Sequence, residues 1–205
     1  MFTIIDVYNY DSIALIKKAK GEGTKFINCD PVAFDGLNDK KVFRGLTQLN
    51  SDVNELFFAK KIIVVEGPED KIAITETAKK LTKIKKRTEE LDVTVIVAGG
   101  KTSIPFFVRI LNAFKMNYSV LHDLDVENGM PLIDKNTEEK RNEAIADLAP
   151  GKVATFPIKL EMTLGLSKGH LKDQYEALAY FSDHSKINAD LENVVTNVLK
   201  LVGVN

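Results

Sequence analysis

Glu66 and Asp70 in "VVEGPED", and Asp123 and Asp125 in "VLHDLD", are the residues of this sequence best placed to do chemistry. Asp123 and Asp125 are two positions apart, and in an extended strand that spacing puts both carboxylates on one side. Like charges held that close repel unless a cation or a shared proton lies between them. Glu66 ends an apolar stretch, and Asp70 follows four residues later in the first turn of a predicted helix. Taken singly, each has a plainer explanation. Glu66 is equally an exposed acid near a helix N-terminus, Asp70 an ordinary first-turn acid, and the DLD pair loop acids splayed into water, as Glu127 is. Taken together, four acids in a chain with three histidines and one cysteine form a hard, oxygen-ligand site. That donor set suits Mg²⁺ or Mn²⁺, with Ca²⁺ as a non-catalytic substitute. Sites of this kind commonly serve phosphodiester hydrolysis, with cations activating the attacking oxygen and neutralising the leaving one.

A second stretch, "VAGGKTS" at 97–103, imitates the end of a nucleotide-binding P-loop. That motif needs a glycine five residues before Gly100, to open a loop around the phosphates. The position is Val95, inside "VTVIV", a β-branched run that reads as a buried strand. The glycines instead bend the backbone at the sheet edge. Lys101 is then available to offset the acids or to touch a nucleic-acid phosphate, and Thr102 or Ser103 to N-cap the next helix.

The elements that must position these residues alternate. "KIIVV" is a strand, 69–87 a helix, "DVTVIVAGG" a strand, 104–114 a helix and 118–125 a third strand. Strands that are apolar end to end and separated by helices form a parallel sheet covered on both faces. In such sheets ligands bind beyond the C-terminal strand ends, where Glu66, the Gly-Gly-Lys turn and the DLD pair all fall. Residues 126–136 read as a turn-rich loop, 137–148 as a polar helix, 152–156 as a short fourth strand, and 171–183 and 187–202 as closing helices. Before residue 60, "TIIDVYN", "SIALIKKA" and "TKFINCD" read as short strands, and 39–60 as a helical pair. We expect residues 1–58 to be a linking strand-helix segment and 59–205 the α/β domain.

With 205 residues, 44% apolar and 28% charged, the chain is long enough for one ordinary domain with a real core. No apolar run approaches the roughly 18 residues of a membrane span, and "MFTIIDVYNYDS" lacks the basic start of a signal peptide. A single cysteine fits a reducing cytoplasm. The net charge of −1 argues against nucleic-acid binding by bulk charge, yet leaves room for a local basic face. "KKLTKIKKR", 79–87, is either that face, contacting phosphates, or a solvated helix end.

The motifs resemble a known family. "VVEGPED" and "DLD" look like the E-G-x-x-[DE] and D-x-D motifs of TOPRIM domains. "ELFFAKKIIVVEGPED", "VAGGKTSIPFFVRILNAF" and "YSVLHDLD" together look most like the overcoming lysogenization defect (OLD) endonucleases, over roughly residues 52–180. The resemblance implies a TOPRIM-like four-stranded parallel sheet flanked by helices, and a two-metal DNA endonuclease with Glu66, Asp70, Asp123 and Asp125 as ligands. It implies Glu161, in "FPIKLEMTL", as a further acid, and a charge-stabilising lysine late in the chain, Lys172 before Lys168. It also implies an ABC-type ATPase partner, for which this sequence has no P-loop and no room. Two other functions fit the same motifs. A primase- or topoisomerase-like TOPRIM enzyme would need a nucleophilic tyrosine, and Tyr118, Tyr175 and Tyr180 have no setting for one. A non-catalytic assembly module could pair as a homodimer through the closing helices.

Overall fold

The computed structural model describes residues 14–19, 21, 23–30, 32, 53–81 and 91–204. Two short strands come first, β1 (Ala14–Ala19) and β2 (Gly23–Asn28), and they pair antiparallel. They match the strands expected from "SIALIKKA" and "TKFINCD". Leu15 turns into the core with Ile27 and Cys29 against it, while Ile16 and Phe26, opposite one another, face outward. The "TIIDVYN" strand and most of the expected helical pair lie outside the described residues. The end of that pair, Val53–Phe58, is a 3₁₀ helix.

The main sheet follows. Its strands are β3 (Lys61–Val65), β4 (Val93–Val97), β5 (Tyr118–Asp123) and β6 (Val153–Phe156), in the order β4-β3-β5-β6 and all parallel. The crossover helices are α1 (Pro68–Leu81), α2 (Ile104–Ala113) and α3 (Leu132–Leu148). Three more close the chain: the single turn α4 (Leu160–Thr163), α5 (Gln174–Phe181) and α6 (Ala189–Leu201).

Right-handed crossovers dictate which face each helix covers. The step from β3 to β4 runs one way along the sheet, and the steps to β5 and β6 run the other. α1 must therefore lie opposite α2 and α3. The core obeys this through the two-residue period of the strands. Ile62 and Val64 pack with Phe107, Leu111, Phe114 and Ile145 on the α2/α3 face. Ile63 and Val65 pack with Ala73, Ile74, Val195 and Val198 on the α1/α6 face. Every one of these side chains is buried. The reversal of direction happens between β3 and β5, so their C-terminal ends open a crevice at the topological switch point.

Some elements differ from expectation. α3 begins at Leu132, five residues before the polar helix read from the sequence, because Pro131 takes its N-cap position and the Thr137 hydroxyl bonds the Ile133 carbonyl. The loop before it is correspondingly short. α4 was not expected. α5 starts later than 171, where the Asp173 carboxylate accepts the Glu176 N–H and caps the helix. α6 uses its apolar face inside the chain, burying Leu191, Val195, Val198 and Leu199, so that face is not left for a second copy.

Candidate metal centre

β3 runs straight into Glu66, and the Gly67 turn into α1 carries Asp70 to its third position. The Asp70 carboxylate turns back to accept the Gly67 N–H at 2.9 Å, the reciprocal half of a capping box. A Cβ at Gly67 would stand 3.0 Å from the Glu69 carboxylate and 3.7 Å from that of Asp70, so a larger residue there would displace the Glu69 side chain.

β5 ends at Asp123, whose Oδ1 accepts the Leu160 N–H at 3.2 Å. Asp125 lies beyond the strand in a left-handed conformation, φ 56°. Simple strand alternation therefore does not bring the DLD pair together, contrary to the sequence argument. The turn at Asp125 does, helped by its N–H bond to the Ile158 carbonyl at 3.0 Å. Two ammonium groups fix its side chain: Lys101 Nζ at 2.7 Å and Lys159 Nζ at 2.8 Å.

The Gly-Gly-Lys turn belongs to the same construction. Gly99 and Gly100 take φ values of 76° and 124°, a region that only glycine enters freely. Gly100 N–H bonds the Glu66 carbonyl at 3.0 Å, and the Lys101 N–H reaches the Glu66 carboxylate. Lys101 itself turns inward, is buried, and also bonds Glu138 of α3 at 3.0 Å. It offsets acids rather than presenting its charge to a phosphate. Ser103 holds the N-cap position of α2, but its hydroxyl makes no cap bond, because residues 101–103 are already a 3₁₀ turn.

Carboxylate oxygens of Glu66, Asp123 and Asp125 lie within 4.8 Å of one another. Asp70 and Glu161 line the same cleft of about 330 Å³ with Glu66 and Asp123, Glu161 holding the Gly169 N–H at 3.3 Å. The structure thus brings five predicted acids to one place. It places Lys168 in the cleft wall, and Lys172 outside it and exposed. Lys159, which none of the motifs singles out, also lines the cleft. Its signal was available, as a lysine two residues before Glu161, but nothing local separates it from other surface lysines. Of the basic run, Lys79 pairs with Glu76, and Lys80 with Glu192 at 2.6 Å; Lys83, Lys85, Lys86 and Arg87 lie outside the described residues. None of Tyr118, Tyr175 and Tyr180 lines the cleft.

The charges are arranged under tension. Burial, then the neighbouring Asp125 and Glu66, push Asp123 up to about 7. Burial and then Asp125 raise Glu66, and burial and then Asp123 raise Asp70 well above the usual carboxylate range. Asp125 is the exception. Burial pulls it upward, but hydrogen bonds from Lys101 and Lys159 outweigh that and hold it below its ordinary value. Glu66 Oε2 is buried without a hydrogen-bond partner. An orphaned buried oxygen beside two further carboxylates is the environment a hard divalent cation would relieve, so these residues fit one.

The proton balance predicts a pH effect on stability. The folded chain holds a proton on Asp123 up to about pH 7, whereas the unfolded chain releases it near pH 4. Without divalent ions, stability should therefore be highest below about pH 4 as far as this group is concerned, fall through the window to about 7, and level off above it. We expect a loss of about 2 kcal/mol, half the full linkage because the neighbouring acids share it. Urea titrations in EDTA at pH 5 and pH 8 capture about two thirds of it. The Asp123→Asn protein should show a smaller difference, the remainder coming from Glu66 and Asp70, whose proton affinities are also raised; an undiminished slope would mean that Asp123 does not contribute.

A parallel sheet whose first and third strands end on E-G-x-x-D and D-x-D carboxylates at its switch point has the architecture of a TOPRIM domain. Residues 57–125 match the family model described as overcoming lysogenization defect protein-like, TOPRIM domain, which bears out the resemblance carried by the motifs. A 146-residue stretch, 67% of the chain, is 25% identical to an OLD nuclease of Thermus scotoductus. The chain spans about a quarter of that relative's length. Among solved structures, the C-terminal region of the Burkholderia pseudomallei OLD protein aligns over 71% of this chain and 97% of its own, at 17% identity and a TM-score of 0.42. The C-terminal region of the Xanthomonas campestris pv. campestris OLD protein aligns over 73% and 80%, at 16% identity and 0.38. Among the described residues, no helix is long and apolar enough to cross a membrane.

Proposed function

We propose that this chain is a divalent-metal-dependent DNA endonuclease module. The observation that carries the reading is the gathering of Glu66, Asp123 and Asp125 oxygens within 4.8 Å, with one buried Glu66 oxygen left without a partner. Glu66, Asp123 and Asp125 would hold one cation position, and Asp70 and Glu161 border a second. Mg²⁺ or Mn²⁺ bound there supplies Lewis-acid activation of water and neutralises the leaving oxygen. The chain's own groups supply the rest. Lys168 is placed to stabilise charge on the phosphate. An open cleft without stacking aromatics suits a duplex backbone rather than splayed bases. The regulator implied by the resemblance is an ABC-type ATPase, supplied in cis or in trans.

Supercoiled plasmid incubated with Mn²⁺, with EDTA as control, tests this. Nicked and linear DNA is the expected result. Relaxation through a covalent protein adduct would favour the topoisomerase-like alternative, and no change at all a non-catalytic module. In the same assay Lys168→Ala should lower the rate by about 10²-fold, and Lys172→Ala by no more than about threefold. The reverse order would return the role to Lys172.

A further inference from the structure

A buried ammonium beside a carboxylate group competes with any cation that the group would hold. Lys101 is the one buried lysine among the described residues. Its Nζ lies 2.7 Å from Asp125 Oδ2, and its charge favours the ionised forms of Glu66, Asp123 and Asp125 against the burial that disfavours them. Given wholly to Asp125, that charge would cancel part of the negative charge on which divalent-ion uptake depends. It is shared instead: Glu138 Oε2 stands 3.0 Å from the same nitrogen.

Glu138 belongs neither to the cleft wall nor to the three-carboxylate group. It comes from the second turn of α3, and its surroundings fix it there. Arg141, three residues on, donates to its other oxygen. Asn142, four residues on, donates to the Leu124 carbonyl at 2.8 Å, inside the DLD segment itself. Ile145, seven residues on, is buried in the core. Positions 138, 142 and 145 form one stripe of a helix. The face of α3 that packs on the sheet is therefore also the face that carries Glu138 to Lys101. With side chains 15% and 4% exposed, the two are not a solvated surface pair.

We propose that Glu138 is a positioning residue of the metal centre: by sharing the Lys101 ammonium with Asp125, it leaves the three carboxylates with the negative charge that a divalent ion needs. It touches neither ion nor substrate and acts through Lys101. The proposal rests on the metal-dependent nuclease reading of the site.

Mn²⁺ titrations followed by the electron paramagnetic resonance signal of the free ion test it without an activity assay. Glu138→Gln should bind Mn²⁺ about tenfold more weakly than the native chain, because the ammonium then falls to Asp125 alone. Glu138→Asp, shorter but still charged, should stay within about threefold of native. The opposite order, with glutamine near native and aspartate weak, would mean that the shape of the side chain matters and not its charge, and would overturn the proposal. The link through Lys101 is read in a Lys101→Met background, where Glu138→Gln should change the affinity by less than about threefold. An undiminished effect there would mean that Glu138 acts on the ion directly, which also overturns the proposal. Lys101→Gln replaces the methionine variant if that does not fold. Native affinity in Glu138→Gln would overturn this proposal and leave the nuclease reading standing. No Mn²⁺ on the native chain would overturn both.

Discussion

Asp123→Ala is expected to reduce Mn²⁺-dependent cleavage of plasmid DNA by about 10³-fold or more while leaving the chain folded. The size follows from where Asp123 stands. It is the terminal residue of β5, one of the two strands flanking the switch point, and it belongs both to the three-carboxylate group and to the cleft wall. No neighbouring acid can move into its place. Glu66 is tied by the Lys101 N–H, Asp70 by the Gly67 N–H, and Asp125 by two ammonium groups. The fold should survive, because among the described residues the carboxylate's one hydrogen bond, from Leu160 N–H, is long at 3.2 Å. Its charged form is moreover disfavoured by burial. The variant should thus be at least as stable as the native chain at pH 8 in EDTA. Cleavage within tenfold of native, in a protein shown to be folded by circular dichroism, would sink the assignment of Asp123 to the site.

Lys101→Met is expected to cost about 3–4 kcal/mol of stability, or a fall in melting temperature of roughly 6–16 °C for a chain of this size. The Lys101 ammonium is buried and satisfies Asp125 at 2.7 Å and Glu138 at 3.0 Å. Removing it leaves two poorly exposed carboxylates short of a counter-charge. Lys159 still serves Asp125, and Arg141 still serves Glu138, so the loss should fall short of the 5 kcal/mol of a fully orphaned pair. Lys60→Met is the control. Its bond to Asp92 at 3.0 Å joins two exposed side chains and should be worth less than about 1 kcal/mol. Equal losses in the two variants, measured by urea denaturation, would show that Lys101 is no clamp.

Much of this organisation was legible in the sequence, for reasons that are local. "KIIVV", "VTVIV" and "YSVLH" are uniformly apolar because strands covered on both faces need apolar groups on both sides. Alternation with helices makes the sheet parallel, and parallel strands present their C-terminal ends to one edge. The acids at those ends could therefore be named in advance. So could the false P-loop, since Val95 occupies a strand and not a loop. Boundaries were less legible where a cap decides them, as at Pro131 and Asp173.

What the sequence determined by itself is the layer architecture and the edge at which the carboxylates lie, because hydrophobic period and residue order are properties of single segments. Tertiary structure alone decided the strand order β4-β3-β5-β6, which sets Glu66 next to Asp123. It alone turned Asp125 by a left-handed residue rather than by strand alternation, buried Lys101 against Glu138, and carried Lys159 into the cleft ahead of Lys172. Each of these depends on groups 24 to 59 positions apart meeting in space, and no spacing along one segment encodes which lysine will find which acid.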